Sequence, residues 1–202
     1  MATGGGHETE IKLRATDVES ALANLARAGF RVVRERHAEI NLIYDRDGQL
    51  RAEGKLLRIR SAGGRTVVTF KGRAVEGKHK SRPEIEFTAS SLDACRGVFE
   101  SLGYTMVFRY DKWRTEFEDQ SGEGMAVLDE TPIGIFLELE GEPDWIDRTA
   151  ARLGYREADF VTASYASLYL DDCRRRGVVA GHMVFEAGTA DRKVLETPKG
   201  GA

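Results

Sequence analysis

The sequence contains little cysteine, little proline and no long apolar segment. Only two of its 202 residues are Cys and four are Pro. Cys95 and Cys173 are far apart in the sequence and show no metal-ligand spacing or redox pair, so we expect free thiols. Hydrophobic residues make up 41% and charged residues 31% of the chain, which is too polar for a membrane span. Residues 1–6 lack the basic and apolar parts of a signal peptide, so we expect a cytoplasmic protein with no membrane partner.

The sequence also lacks an excess of positive charge. Its net charge of -3 gives no general attraction to nucleic acid, so we expect no nucleic-acid partner, and any basic cluster must act locally. The four His residues show no metal-ligand spacing. A chain of 202 residues is long enough for one domain with a substantial core.

Several strand-like segments carry their charged side chains on one face. Successive strand residues point to opposite faces, so Glu8, Glu10 and Lys12 share a side. Later segments carry charges of one sign on one face: Glu84 and Glu86, Glu138 and Glu140, Arg58 and Arg60, Lys112 and Arg114. Such residues can simply form a solvated face or an ion-pair ladder. However, carboxylate pairs also bind hard divalent cations and clustered bases bind phosphate, so the pattern favours a metal–polyphosphate site.

Periodicity and turn residues predict about eight strands, mostly in antiparallel pairs, and three or four helices. The predicted strands are residues 8–15, 30–45, 55–61, 65–71, 79–88, 104–118 with a break near Arg109, 125–129 and 135–141. The predicted helices are residues 18–28, 92–102, 143–153 and 162–173. We expect residues 1–6 to be a flexible N-terminus, residues 7–176 to form the domain, and residues 177–202 to be a weakly ordered tail with at most one short strand at 182–185.

Hairpins with intervening helices predict an α+β domain built on a large antiparallel sheet or a closed barrel. A dry core of charges would be prohibitively costly, whereas a wet tunnel in which acids and bases compensate each other is allowed. In such a tunnel the apolar residues would face outward under helices. These residues are Ile11, Leu13, Leu57, Ile59, Ile85, Phe87, Trp113, Leu137 and Leu139. Tyr165 is also predicted to lie in the core.

Taken in order, these segments resemble the CYTH superfamily, the triphosphate tunnel metalloenzymes. The matching segments are Glu8, Glu10 and Lys12; Leu57-Arg58-Ile59-Arg60; Thr69-Phe70-Lys71-Gly72; Arg82-Pro83-Glu84-Ile85-Glu86; Lys112-Trp113-Arg114; Asp129 with residues 133–140; and Ser164-Tyr165. The match covers residues 7–172. It implies an eight-stranded antiparallel β-barrel, a tunnel with a charged lumen that is open at both ends and flanked by helices.

The resemblance also implies roles for individual residues. The catalytic residues would be Glu8, Glu10, Lys12, Glu138 and Glu140. Mg²⁺ or Mn²⁺ would be held by Glu8, Glu10, Asp129, Glu138 and Glu140, with Glu84 and Glu86 as supporting acids. The triphosphate would be bound by Lys12, Arg58, Arg60, Lys71, Arg82, Lys112 and Arg114.

The implied function is a divalent-metal-dependent enzyme that acts on a triphosphate. The Leu102-Gly103-Tyr104 segment and the intact motif at residues 133–140 favour the branch of class IV adenylyl cyclases, which convert ATP to cyclic AMP and pyrophosphate. Inorganic triphosphatase or thiamine triphosphatase activity would use the same residues and remains open. So does a non-catalytic module that binds polyphosphate or a nucleotide. The partner would be ATP, tripolyphosphate or thiamine triphosphate, bound by a monomer or a homodimer.

Overall fold

The computed structural model describes residues 3–75 and 77–186, and its strands form one closed barrel. The strands are β1 (Thr3–Ala15), β2 (Arg31–Asp45), β3 (Leu56–Ala62), β4 (Arg65–Lys71), β5 (Lys80–Ala89), β6 (Thr105–Glu118), β7 (Gly124–Thr131) and β8 (Gly134–Gly141). Their order around the barrel is β1-β5-β4-β3-β2-β6-β7-β8, and each neighbouring pair is antiparallel. The predicted α+β fold with an eight-stranded antiparallel barrel is confirmed.

The helices flank the barrel, and three of them begin after a residue whose side chain caps the first turn. The helices are α1 (Val18–Arg27), α2 (Gln49–Ala52), α3 (Leu92–Ser101), α4 (Pro143–Arg152) and α5 (Tyr165–Arg176). The side chains of Asp17, Ser91 and Ser164 each accept a hydrogen bond from a backbone amide of the first turn. Because Ser164 is extended and caps α5, that helix begins three residues later than the predicted position 162.

The apolar core lies outside the barrel, between its wall and the helices. Ile11, Leu13, Leu137 and Leu139 are fully buried in a cluster with residues of α1 and α4. The outer faces of β2 and β3 pack against α3, and Phe136 packs against α5. The barrel wall therefore carries its apolar residues outward and turns its alternate, charged residues into the lumen, as predicted.

Two local predictions were wrong, and one short helix was missed. Ile85 and Phe87 point outward but remain 55% and 45% exposed, because no helix in the described part of the chain covers β5. β6 is one strand without a break near Arg109; its pairing with β2 instead shifts at Val107, which lies between the partners of Ile43 and Tyr44. The short helix α2 was not predicted.

The glycine pair between β3 and β4 forms the tight turn of a β-hairpin. Its two connecting residues, Gly63 and Gly64, have φ angles of 55° and 76°. Two successive positive φ values define the type I′ turn that matches the twist of paired strands, and glycine adopts them without steric cost. This turn fixes the register that places Arg58 opposite Thr69.

The chain ends are described only in part. Within the described residues, β1 begins at Thr3, and the segment after α5 forms one bridge, parallel to β6, at Met183, which is fully buried. Residues 1–2 and 187–202, which belong to the predicted flexible N-terminus and tail, lie outside the described residues. Among the helices that the structure describes, none is both long enough and apolar enough to span a membrane.

Candidate active site

The barrel lumen is a charged cavity of about 560 Å³. Ten basic and eight acidic side chains line it, so the lining carries two net positive charges when all are ionised. All the predicted site residues except Asp129 line this cavity: Glu8, Glu10, Lys12, Arg58, Arg60, Lys71, Arg82, Glu84, Glu86, Lys112, Arg114, Glu138 and Glu140. The structure thus brings together side chains from six of the eight strands.

Lys12 lies between two carboxylates from β1 and β8. Its Nζ is 3.3 Å from Glu10 Oε1 and 3.1 Å from Glu138 Oε1. Burial would raise the pKa of each carboxyl, but Lys12 and the other nearby bases outweigh burial and lower both. Burial would likewise lower the pKa of Lys12, but the two carboxylates raise it. All three groups are therefore ionised at neutral pH.

Glu140 has a different environment, although it lies directly opposite Glu10 in the β1–β8 ladder. Within the described residues it forms no ion pair. Burial among protein groups, together with repulsion from Glu8, Glu10 and Glu84, raises the pKa of Glu140 from 4.5 to about 7, despite the opposing effect of Lys71. Like charges opposite one another destabilise a sheet, and a cation would relieve this repulsion.

The acids beside Glu140 are already paired with bases. Lys71 Nζ contacts the carboxylate of Glu8 and lies 3.0 Å from Glu84 Oε2. Arg82 Nε lies 3.3 Å from Glu8 Oε2, and Lys80 Nζ lies 2.9 Å from Glu10 Oε1. Because these oxygens face bases, no three His, Cys, Asp or Glu side chains of the described residues converge as a ready-made metal site. The donor set fits a hard cation only if the acids exchange their partners.

Asp129 lies behind the cavity wall and is fully buried. Its Oδ1 accepts a hydrogen bond from Arg114 Nε (2.7 Å). Its Oδ2 accepts from Lys112 Nζ (2.7 Å), Arg114 Nη2 (2.6 Å) and the Tyr165 hydroxyl (2.8 Å). Three of these four bonds go to Oδ2, which is thereby saturated, whereas Oδ1 accepts one. In this arrangement Asp129 orients the two bases of β6 that reach the cavity.

Tyr165 is buried as predicted, but it is more than a core residue. The Nζ atoms of Lys12 and Lys112 lie 5.3 Å and 5.4 Å from its ring centroid, within the range of a cation–π interaction. Burial and the carboxylate of Asp129 raise the pKa of Tyr165 well above its usual value, so its hydroxyl stays protonated and donates. The first turn of α5 therefore supports two lysines and Asp129 at once.

Glu39 was missed by the sequence analysis and is the central acid on the β2 side. It is 1% exposed, and its carboxylate lies 3.3 Å from Arg60 Nη1 and 3.4 Å from Lys112 Nζ. Burial would raise the pKa of Glu39, but Arg60, Lys112 and Arg114 lower it well below its usual value. Asn41, two residues along the same face, accepts a hydrogen bond from Arg60 Nε at 3.1 Å.

Other lining residues also escaped prediction as site residues. They are Arg34, Arg65, Lys80, Tyr110 and Glu116. For four of them the available signal was the period of two, which places Lys80 on the face of Arg82, Tyr110 and Glu116 on that of Lys112, and Arg65 on that of Lys71. Arg34 is separated from Glu39 by shifts in the register of β2, so the period does not place it on the same face. None of the five residues belongs to the segments that resemble the family.

Comparison with known proteins gives a consistent result. A family model described as the CYTH domain matches residues 6–165. A Methanocaldococcus jannaschii protein named "putative adenylate cyclase" is 30% identical over 133 residues, which is 66% of this chain and 75% of that protein.

Two solved structures resemble the barrel. A Vibrio parahaemolyticus protein with the same name has a TM-score of 0.68 at 23% identity, over 82% of this chain and 98% of that chain. A Hippeastrum protein has a TM-score of 0.59 at 20% identity, over 86% of this chain and 97% of that chain. It is named "putative adenylyl cyclase" and is described as having a dominant triphosphatase activity. At these identities the structures show a shared fold.

Proposed function

The chain belongs to the CYTH domain family, and from this premise we propose that it is a divalent-metal-dependent enzyme that processes a triphosphate in the barrel lumen. The observation that carries the proposal is the distribution of charge around the cavity. Glu8, Glu10, Glu138 and Glu140 come from the adjacent strands β1 and β8, whereas ten bases surround the same space. One wall thus attracts a cation, while the cavity as a whole attracts a polyanion.

We propose Mg²⁺ or Mn²⁺ as the cofactor. Glu8, Glu10, Glu138 and Glu140 would hold it, with Glu84 beside them, because Mg²⁺ usually binds through one or two carboxylates and substrate phosphates. When bound, such an ion polarises a phosphoryl group and neutralises its charge. The hydrogen bonds of Asp129 favour a role in positioning Lys112 and Arg114 over one as a metal ligand.

The bases would bind and orient the triphosphate. Arg58, Arg60, Lys71, Arg114 and Lys12 line one cavity, and Lys112 and Arg82 extend the set. Guanidinium groups form bidentate contacts with phosphate oxygens, and preorganised bases stabilise the charge of a phosphoryl-transfer transition state. Most of these bases are paired with acids. Binding therefore requires the bases to turn to phosphate while the acids turn to the metal.

The reaction that we propose first is conversion of ATP to cyclic AMP and pyrophosphate, following the name of the Methanocaldococcus jannaschii relative. A second candidate is hydrolysis of the terminal phosphate of tripolyphosphate or thiamine triphosphate. This candidate follows the description of the Hippeastrum protein of the same fold, to which a dominant triphosphatase activity is ascribed.

Product analysis separates these reactions. ATP, tripolyphosphate and thiamine triphosphate would each be incubated with the protein in Mg²⁺ and in Mn²⁺, and the products identified by chromatography. We expect turnover of at least one substrate, its loss in EDTA, and its loss in the Glu10→Gln variant with the fold retained. Activity that persists in EDTA, or a wild-type rate in Glu10→Gln, would refute the metal assignment. Binding of all three without turnover would indicate a binding module.

Arg60→Ala is expected to lower apparent substrate affinity by roughly ten- to a hundredfold, the effect of losing charge-assisted hydrogen bonds. Arg60→Lys should recover only part of the loss, because an ammonium lacks the guanidinium fork. Steady-state KM and kcat would be measured for both variants. The control is Arg148→Ala, which removes an arginine that pairs with Glu123 outside the barrel. Wild-type KM and kcat in Arg60→Ala would place this side chain outside the substrate contacts.

A further inference from the structure

His37 lies against the charged lumen near the β3–β4 hairpin. It shares a strand face with Glu39, which pairs with the last residue of β3. Arg34, Arg65 and Glu116 line the cavity at this end, which we call the hairpin mouth. The side chain of His37 is only 12% exposed, so its ring is held among these charged groups.

Both ring nitrogens of His37 face oxygen atoms. Nδ1 lies 2.9 Å from the backbone carbonyl oxygen of Glu35. Nε2 lies 3.7 Å from Glu39 Oε1 and 3.6 Å from Glu116 Oε1, and it is buried without a hydrogen-bond partner among the described residues. Because a carbonyl only accepts, Nδ1 carries the proton of the neutral ring, and the lone pair of Nε2 is then left beside two carboxylates. A second proton, on Nε2, turns this repulsion into attraction.

The two acids beside His37 also hold bases of the lumen. Glu39 lies 3.3 Å from Arg60 Nη1 and 3.4 Å from Lys112 Nζ, and Glu116 Oε1 lies 3.1 Å from Arg34 Nη1. A phosphate group that binds Arg60 or Arg34 must compete with these carboxylates. A cationic His37 would supply the acids with another positive charge and so weaken their hold on the bases.

The charged groups that face His37 directly or through these two acids come from three strands. They are Arg34 and Glu39 of β2, Arg60 of β3, and Lys112, Arg114 and Glu116 of β6. Arginine does not lose its proton in proteins, and Glu39 stays ionised at neutral pH because Arg60, Lys112 and Arg114 lower its pKa. Histidine, by contrast, is the side chain that ordinarily changes its charge between about pH 5 and 8.

We propose that His37 is a positioning residue whose protonation releases Arg60 and Arg34 to the substrate, so that the affinity for a polyphosphate rises as the pH falls. The proposal rests on the proposed function and adds a pH dependence to it. The proton stays on the imidazole throughout and is not passed to the substrate. His37 acts through Glu39 and Glu116 and needs no contact with a phosphate group.

The test compares His37→Gln with wild type near pH 5.5 and near pH 8.5, on either side of the range in which histidine ordinarily titrates. Gln can donate a hydrogen bond to a carboxylate but cannot gain a proton. Tripolyphosphate with Mg²⁺ is the probe, and its apparent affinity is the KM if it is turned over or the Kd from calorimetry if it is not. We expect His37→Gln to bind roughly three- to tenfold more weakly than wild type near pH 5.5 and within about twofold of it near pH 8.5. Comparing the two proteins at the same pH cancels the protonation of the probe itself.

The matched control is His79→Gln. His79 Nε2 also faces a carboxylate, that of Asp147 in α4 at 2.8 Å, but neither residue lines the cavity. This variant should stay within about twofold of wild type at both pH values. An equal loss of affinity at both pH values in His37→Gln would indicate a purely structural role and overturn the proposal, as would wild-type affinity at both. Absence of tripolyphosphate binding by wild type at either pH would overturn the proposed function as well.

The ionisation of His37 can also be observed directly. Its imidazole ¹⁵N resonances, assigned by their absence in His37→Gln, should show a neutral ring protonated at Nδ1 and, at lower pH, a ring protonated at both nitrogens. Adding tripolyphosphate with Mg²⁺ should increase the protonated fraction at a given pH, because a proton that favours the ligand is itself favoured by it. A neutral ring protonated at Nε2, or a protonated fraction that the ligand leaves unchanged, would overturn the proposal.

Discussion

The Asp129→Asn variant is expected to melt roughly 6–20 °C below wild type, because breaking a buried ion pair typically costs about 3–5 kcal/mol in a domain of this size. Both oxygens of Asp129 accept hydrogen bonds from cationic donors. An Asn side chain must therefore direct its NH₂ group at Arg114 or Lys112, whichever way the amide is turned. The buried bases would also lose a counter-charge. Thermal unfolding in EDTA measures this structural effect separately from any role of a metal.

The control for Asp129→Asn is Glu140→Gln, which makes the same acid-to-amide change at a carboxylate without an ion pair in the described structure. It should not destabilise the protein. If Asp129 were chiefly a metal ligand, Asp129→Asn would instead retain its melting temperature in EDTA and lose the stabilisation by Mg²⁺. That result would contradict the positioning role and restore the assignment that the family resemblance implied.

The composition of the lumen was predictable because a barrel obeys one local rule. Alternate residues of every strand face inward, so Glu8, Glu10 and Lys12 had to share the lumen once β1 became part of a closed barrel. The outward positions of Ile11 and Leu137 follow from the same rule. Neither prediction needed knowledge of which strands are neighbours.

The pairing of charges across the lumen was not predictable, because it depends on register. Arg58 faces Thr69 and Glu10 faces Glu140, and a shift of one strand by two residues would preserve every face while changing each of these pairs. The hydroxyl partners of Arg58 and the repulsion at Glu140 are consequences of register. They appear only when the strands are assembled.

The cover of the barrel also depends on tertiary arrangement. Ile85 was correctly predicted to point outward, but it is exposed instead of packed under a helix. Whether a helix packs over a strand cannot be read from the sequence of that strand. In the described residues β4 and β5 are joined by a loop, and the next helix, α3, packs against β2 and β3. Asp129 is a similar case: its place in the motif did not reveal that Tyr165 from α5 donates a hydrogen bond to it and that it is buried behind the cavity wall.

Glu140→Gln is expected to raise the Mg²⁺ concentration needed for half-maximal turnover by roughly ten- to a hundredfold, the effect of losing one charged contact. The neighbouring acids Glu8 and Glu10 would remain but are paired with Lys71 and Lys80. Rates would be measured at saturating substrate over a range of free Mg²⁺. Glu116→Gln is the matched control, since Glu116 lines the cavity and pairs with Arg34 instead. An unchanged Mg²⁺ requirement in Glu140→Gln would show that this acid does not help to hold the metal.

The same variant should have the opposite effect on the metal-free protein. The pKa of Glu140 is raised to about 7 in the fold, so as pH rises from about 4.5 the unfolded chain releases this proton before the folded protein does. Ionisation of Glu140 therefore reduces stability progressively between these two values, and the full loss persists above pH 7. Glu140→Gln removes the ionisation, so in EDTA it should melt above wild type at pH 8 and equal to it near pH 4.5. With Mg²⁺ at pH 8 the order should reverse, because only wild type retains the charge that attracts the cation. A variant that melts below wild type in EDTA at pH 8 would mean that the neighbours of Glu140 stabilise its charge. The repulsion from Glu8, Glu10 and Glu84 would then no longer support the proposed metal site at this end of the tunnel.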